Sequence, residues 1–165
     1  MALHIINLRK NALVYLFKII SGSVLLWYGL RGFGIAEPYW AMISLIVVTE
    51  PDVKVARANF RARLINTISG SASAGLTLIV LGPGLLPMLI ALSVALLIAM
   101  LLEGYPSNWR LGPVTVVVVM SAAASGSELR QELQYGLLRV GEVLVGSAVA
   151  LLQSLIYTYL LKRWK

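Results

Sequence analysis

The chain has 165 residues, of which 59% are hydrophobic and 13% charged, and it carries a formal net charge of +7 with no cysteine. Soluble domains are nearer half apolar and a quarter charged, so this composition excludes a disordered chain and an ordinary soluble domain, and the lack of cysteine excludes a disulfide scaffold. Because each spanning helix takes about 20 residues, at most about six crossings fit. We therefore expect one transmembrane domain over residues 1–165, without a separate soluble domain.

Six apolar stretches follow one another, and the second and fifth are short. They cover residues 12–30, 38–48, 64–81, 85–102, 113–125 and 137–161. The first stretch follows basic residues as a signal peptide does, but it is long for one, no convincing cleavage site follows, and further spans come after it. Gly82-Pro83-Gly84 predicts a tight hairpin between the third and fourth spans. The pattern predicts an all-α membrane protein with six transmembrane helices.

The basic residues predict the orientation, because cytoplasmic segments of membrane proteins are enriched in lysine and arginine. With a cytoplasmic N-terminus, ten basic residues lie inside: Arg9, Lys10, Lys54, Arg57, Arg61, Arg63, Arg110, Lys162, Arg163 and Lys165. Three lie outside: Arg31, Arg130 and Arg139. We expect both termini in the cytoplasm.

Lys54, Arg57 and Arg61 follow helical spacing and form one basic stripe beside the predicted cytoplasmic leaflet. Anionic lipid headgroups are the ordinary partners of such a stripe. Membrane lipid therefore accounts for this charge, and we expect no nucleic-acid partner.

The chain contains an internal similarity at an offset of 76 positions, between residues 63–76 and 139–152. The same offset places the first span over the fourth and the short second span over the short fifth. This predicts two three-helix repeats, over about 10–82 and about 83–161. Because three is odd, the second copy inserts upside down, which is the inverted-repeat architecture of many transporters.

The two short spans have two interpretations. Each ends in residues that break helices, Glu50-Pro51-Asp52 in one and Ser125-Gly126-Ser127 in the other. Interrupted segments at matching places in two halves indicate a substrate path. Alternatively, these helices continue beyond the membrane surface as the polar segments 53–62 and 128–136.

Small residues recur at four-residue spacing on the third and sixth spans, a pattern that lets helices approach closely. The expected packing positions, between the two repeats or between subunits, are Gly70, Ala74, Gly146 and Ala150.

Ionisable residues within spans are candidates for function because their placement there is costly. Lys18 lies inside the first span and is expected either to snorkel to the interface or to serve a substrate pathway. Arg63 and Arg139 open the third and sixth spans, as interfacial anchors or as anion-attracting groups. Glu142 lies three residues after Arg139, which predicts an intrahelical ion pair or, alternatively, a proton-coupling carboxylate.

Enzymatic chemistry has little support in this sequence. His4 is the only histidine and there is no cysteine, so neither a metal site nor a catalytic residue is predicted. No phosphate-binding glycine loop of the Walker type is present either, so ATP is not the direct energy source. We expect no enzyme and no cofactor.

The order of these features resembles the transmembrane unit of the fusaric-acid-resistance and aromatic-acid-exporter superfamily, whose membrane fold is thought to be shared with plant aluminium-activated malate transporters. The resemblance rests on Pro38-Tyr39-Trp40-Ala41 before an apolar run, on Arg63, Thr67 and Gly70, and on Arg139, Glu142 and Gly146. It covers nearly the whole chain. Asn66 departs from the pattern, since a glycine commonly precedes the threonine there.

The resemblance implies export of organic anions, including aromatic carboxylates, across a bacterial inner membrane by a secondary mechanism. Larger relatives carry a soluble region and often a second membrane unit, so a single unit is expected to pair as a homo-oligomer, most simply a dimer. Lys18, Arg63 and Arg139 are then the expected anion-attracting groups. Expected lining or coupling residues are Trp40, Asn66, Thr67 and Glu142.

Two other functions remain open at this stage. A passive anion channel on the same scaffold needs no coupling carboxylate. A membrane assembly subunit that transports nothing needs only the small-residue faces.

Overall fold

A computed structural model describes residues 2–36, 38–102, 104–106, 108–124 and 129–163. These ranges are helical apart from short connections, which confirms the predicted all-α class. The helices of the described ranges, six in number, are α1 (Ala2–Gly32), α2 (Tyr39–Val48), α3 (Val53–Leu81), α4 (Leu85–Leu101), α5 (Leu111–Ala123) and α6 (Leu129–Arg163).

The chain breaks between α2 and α3 at residues 49–52. Thr49 N–H still donates to the carbonyl oxygen of Leu45 at 2.9 Å, but Thr49 itself has an extended backbone. Pro51 has no N–H to continue the helical ladder. Asp52 then stabilises the start of α3, because its Oδ1 accepts a hydrogen bond of 2.8 Å from the Lys54 N–H.

Because of this break, the polar segment 53–62 is the first part of α3, and the alternative in which α2 continues into that segment is wrong. Helix α3 is one continuous helix in which the basic segment leads directly into the apolar one. The matching break predicted at Ser125-Gly126-Ser127 lies outside the described residues.

The predicted tight turn between α3 and α4 is present. Helix α3 ends at Leu81, and Gly82 takes a left-handed φ of 74° while its N–H donates to the carbonyl oxygen of Leu78 at 2.9 Å. Glycine is the usual residue at such a helix end because it has no Cβ to clash. Helix α4 begins at Leu85, so only residues 82–84 separate the two helices.

Three stretches within the described helices are long and apolar enough to cross a membrane: Ala12–Gly32, Val53–Leu81 and Leu133–Leu160. The apolar helices α2, α4 and α5 are shorter, with 10, 17 and 13 residues. At 1.5 Å per residue, α4 has a length of about 25 Å, against about 30 Å for the hydrocarbon core of a bilayer. The chain is therefore an integral membrane protein with long and short helices.

The chain forms two compact units, and α3 and α6 each contribute to both. The first unit comprises Met1–Phe60 and Val145–Lys165. Its buried apolar core joins Leu26 and Leu30 of α1, Leu45 and Val48 of α2, and Ala150 of α6.

The second unit comprises Arg61–Leu144. Its core joins Ala74 and Leu78 of α3 to α4 and α5, and Leu133 and Val140 of α6 pack against it. The remaining buried members lie on α4 and α5: Ala91, Ala95, Val116, Val119, Met120 and Ala123.

Candidate functional site

Lys18 in the first unit is a cation buried inside a helix that can span a membrane. It lies on α1 and is only 2% exposed. Its ammonium donates a hydrogen bond of 2.7 Å to the carbonyl oxygen of Glu50 and one of 3.3 Å to the Ser154 hydroxyl. It also lies 5.3 Å from the centre of the Tyr157 ring. The lysine thereby joins α1 and α6 to the break that follows α2.

The carbonyl of Glu50 is a fitting acceptor for this ammonium. It follows the C-terminal end of α2, where the helix dipole and its unsatisfied carbonyl groups favour a positive charge. A buried charge is tolerated only where hydrogen bonds replace its hydration. Lys18 is therefore held by polar atoms of the protein.

Gln153 adds a second polar contact between α6 and α1. With its amide oriented to satisfy both polar atoms, Gln153 donates to the carbonyl oxygen of Lys18 at 3.1 Å. The amide oxygen then accepts from the Gly22 N–H at 3.0 Å and from the Ser21 hydroxyl at 3.1 Å. This approach requires glycine, since a Cβ on Gly22 would lie 2.8 Å from the Gln153 amide and from Leu45.

A groove of about 130 Å³ lies beside Lys18, between α1 and α6. Its lining is mainly apolar and aromatic, and three polar side chains contribute to it. The lining residues are Phe17, Lys18, Ser21, Gln153, Ile156, Tyr157 and Leu160. The site therefore combines one cation with a surface suited to an apolar or aromatic group.

Trp40, the tryptophan expected to line the pathway, does not belong to the described lining of this groove. It is half-buried on α2. The centre of the adjacent Tyr39 ring lies 6.0 Å from that of Trp27, with the two rings tilted by 49°, and the Arg31 guanidinium lies 4.8 Å from the centre of the same Trp27 ring. This aromatic group is typical of a membrane–water interface.

The second unit holds Arg63, Asn66 and Thr67 together on one face of α3. All three are buried, with 1% of Arg63 and none of Asn66 or Thr67 exposed. Arg63 was expected to open its span, but α3 begins at Val53, so the arginine lies well inside the helix. The basic segment before it is helical and continuous with the apolar part, which moves the helix start toward the N-terminus.

Asn66 is engaged at both ends of its amide. Its Nδ2 donates to the carbonyl oxygen of Ala62 at 2.7 Å, and its Oδ1 accepts from the Tyr105 hydroxyl at 3.0 Å. The Tyr105 hydroxyl lies 2.6 Å from the Ser69 hydroxyl as well. Tyr105 therefore ties the connection between α4 and α5 to the buried face of α3.

Arg139 and Glu142 form the predicted intrahelical ion pair. Arg139 Nη1 donates to Glu142 Oε1 at 2.6 Å, with 29% of the arginine side chain and none of the glutamate side chain exposed. Glu142 occupies the position 76 residues after Asn66, as Arg139 does relative to Arg63. Equivalent positions of the two similar segments thus carry a carboxylate in one and a shorter, neutral amide in the other.

The glycines of the two similar segments each lie against a short helix. A Cβ on Gly70 would lie 2.5 Å from the carbonyl oxygen of Gly112 and 2.8 Å from Thr115 Cβ, both on α5. A Cβ on Gly146 would overlap the backbone of Ala41 on α2. Ala74 and Ala150 are fully buried in the cores of their respective units.

The predicted basic stripe is exposed: Lys54, Arg57 and Arg61 all lie at the surface of α3. Within the part of the chain that the structure describes, no three histidine, cysteine or acidic side chains come together as metal ligands.

Sequence reasoning missed Gln153, Ser154, Tyr157 and Tyr105. Gln153 and Ser154 interrupt an otherwise apolar span, and this polar interruption was a usable signal. Tyr105 was not recognisable, because it lies in a connection and its partners Ser69 and Asn66 precede it by 36 and 39 positions.

No curated protein and no solved structure matches the chain. A family model described as fusaric acid resistance protein-like matches residues 16–153. This match includes Lys18, Gln153 and all of α2 to α5. The chain therefore belongs to the fusaric acid resistance protein-like family and is an integral membrane protein with a role related to transport.

Proposed function

We propose that the protein exports small organic anions by a secondary mechanism and that Lys18 attracts the anionic group. The observation that carries this proposal is the buried ammonium of Lys18 beside an apolar, aromatic groove. Ionisable residues within membrane spans are rare and commonly mark substrate paths. Family membership supports the transport role.

The lining of the groove supports carboxylates with an apolar or aromatic body as the substrate class. An ammonium group attracts a carboxylate strongly where water is scarce. Phe17 and Tyr157 offer ring surfaces to the remainder of the molecule. The cavity of about 130 Å³ is smaller than common ligand pockets. It therefore suits a small acid or one end of a larger one.

Arg63 and Arg139 are the further anion-attracting groups in this proposal, and Trp40, Asn66 and Thr67 are lining residues. Glu142 is the coupling residue, because a buried carboxylate next to Arg139 can change its interactions when it binds a proton.

The similar segments support an inverted repeat of α1–α3 and α4–α6. The first unit joins α1 and α2 to the last part of α6, and the second joins α4 and α5 to the last part of α3. The third helix of each repeat thus packs with the first two helices of the other. The contact of Gly146 in α6 with α2 and the contact of Gly70 in α3 with α5 match each other in this exchange.

Within this proposal all six helices reach into the bilayer, and both termini lie in the cytoplasm of a bacterium whose inner membrane holds the protein. The basic stripe of α3 contacts lipid headgroups. Two copies form a homodimer, with each copy holding its own Lys18 groove.

The decisive experiment removes the charge of Lys18 without removing its bulk. Lys18→Met keeps an unbranched side chain of similar length, although it leaves the Glu50 carbonyl oxygen and the Ser154 hydroxyl without their donor, at a cost of about 1–3 kcal/mol. Lys18→Met protein that is purified folded, with a cooperative thermal unfolding transition at a somewhat lower temperature than the parent, is expected to lose benzoate transport in liposomes. Lys54→Met, at an exposed lysine of α3, is the matched control and should transport normally. Normal benzoate flux through folded Lys18→Met protein would overturn the assignment of Lys18.

A carrier and a passive channel respond differently to Glu142→Gln. A proton-coupled carrier is expected to lose uphill transport and to keep exchange of substrate across the membrane. A channel conducts equally with either residue. Single-channel currents that are unchanged by Glu142→Gln would therefore replace the carrier mechanism with the channel.

The role of a non-transporting assembly subunit has less support. It relies on small-residue faces that meet a partner, whereas Gly70 and Gly146 already contact helices of their own chain. Absence of carboxylate flux under every imposed gradient would nevertheless favour that role.

A further inference from the structure

A second groove lies in the second unit, and its described lining includes no residue of the proposed pathway. It has a volume of about 450 Å³ and is lined by Leu96, Ala99 and Met100 of α4 and by Trp109. Met100 is 80% exposed and Trp109 is 45% exposed, so the groove opens outward. Such an apolar surface on a membrane protein accommodates hydrocarbon.

A positive charge lies at one end of this groove. The guanidinium of Arg110 lies 5.5 Å from the centre of the Trp109 ring, and Arg110 itself is exposed. Helix α5 begins at the next residue, Leu111, and the N-terminal end of its dipole adds to the positive potential. An apolar groove thus ends at an aromatic ring and a fixed cation.

We propose that this groove binds an anionic phospholipid, with an acyl chain against Leu96, Ala99 and Met100 and its phosphate beside Arg110. Tryptophan suits the boundary between the two parts, because its ring is apolar and its N–H is polar. In the predicted orientation Arg110 lies on the cytoplasmic side, where anionic lipids give a negative surface potential. The charge and the groove together favour an anionic over a zwitterionic lipid.

A second copy of this chain is a poorer occupant of the same surface. A two-fold interface presents the same patch on both copies and would bring two Arg110 side chains to it. The phosphodiester of a lipid instead supplies the opposite charge, and its acyl chain fills the apolar part.

The test uses Trp109 as a local reporter. In a chain whose other tryptophans, Trp27, Trp40 and Trp164, are replaced by phenylalanine, brominated acyl chains in contact with Trp109 quench its fluorescence. Brominated phosphatidylglycerol diluted into phosphatidylcholine then measures the preference of this site for the anionic lipid. We expect a preference of about fivefold, as one basic residue near a membrane surface provides.

Arg110→Gln is expected to reduce this preference to about one. The matched control is the other pair of an arginine beside a tryptophan ring, with Trp27 as the single tryptophan and Arg31→Gln as the change. Because no lipid groove is proposed there, Arg31→Gln should change the lipid preference less than Arg110→Gln does. A preference of one in the starting protein, or no change in Arg110→Gln, would overturn the proposal.

Ala99→Leu fills the groove and leaves Arg110 in place. It is expected to reduce quenching by brominated phosphatidylglycerol and by brominated phosphatidylcholine alike, without changing the oligomeric state. Dissociation of the oligomer by Ala99→Leu would instead identify the groove as an interface between copies and overturn the lipid site. Competition by glycerol 3-phosphate as strong as that by phosphatidylglycerol would also overturn it, since the acyl groove would then contribute nothing.

Discussion

Gly146 of α6 packs directly on the backbone of Ala41 in α2, and a Cβ at position 146 would overlap that backbone. Backbone cannot move aside as a flexible side chain does, so Gly146→Ala forces the helices apart. We expect the free energy of unfolding to fall by about 1–3 kcal/mol, as for other overpacked sites. Thermal unfolding in detergent measures this loss.

Gly141→Ala is the matched control on the same helix, because no atom lies within 4 Å of a Cβ at position 141. Alanine is the better helix former by about 0.5–1 kcal/mol, so this variant should be as stable as the parent or more so. Equal destabilisation by both substitutions would contradict the close contact at Gly146.

Gly70→Ala tests the corresponding contact in the second unit. The added Cβ would meet the Gly112 carbonyl oxygen at 2.5 Å, so we expect destabilisation by about 1–3 kcal/mol here too. Gly75→Ala on the same helix meets nothing within 4 Å and serves as control. A Gly70→Ala protein that unfolds at the parent temperature would argue against tight packing of α3 on α5.

Tyr105→Phe removes a hydroxyl that contacts both Ser69 and Asn66. Asn66 is fully buried, and a buried acceptor that loses its donor costs about 1–3 kcal/mol. We expect this loss in unfolding measurements, whereas Tyr28→Phe, at a tyrosine that is 73% exposed, should change little. Similar small effects of the two substitutions would mean that the Tyr105 hydroxyl does not stabilise α3.

The proposed orientation can be tested with single cysteines, since the chain has none of its own. Lys54→Cys should react with a membrane-impermeant maleimide only from the cytoplasmic side. Arg31→Cys should react only from the opposite side, because α1 separates the N-terminus from this exposed residue. Labelling of both cysteines from one side would contradict the predicted topology.

Hydropathy and turn residues predicted most of the helical pattern. The six apolar stretches correspond to the helices of the described residues, and Gly82-Pro83-Gly84 ends α3 as expected. The start of α3 was misplaced because residues 53–62 are too polar for a hydropathy criterion, although nothing in them interrupts a helix. Local composition therefore identified the helices better than their ends.

The candidate site was less predictable than the helices. The Arg139–Glu142 pair follows from spacing within one helix. The partners of Lys18 do not, because they are a backbone carbonyl at Glu50 and a hydroxyl at Ser154, 136 positions away. Contacts of this kind depend on tertiary packing, which no local pattern encodes.

Helix α3 satisfies three hydroxyl groups of its C-terminal half from its own backbone. Ser71, Ser73 and Thr77 each donate to the carbonyl oxygen four residues earlier, at 2.5, 2.9 and 2.8 Å. Hydroxyls bonded in this way need no partner helix and no water. The C-terminal half of α3 can consequently leave the translocon and enter lipid as a lone helix, ahead of α4 and α5. Asn66, by contrast, obtains the hydrogen bond at its Oδ1 only after the connection that carries Tyr105 has been synthesised.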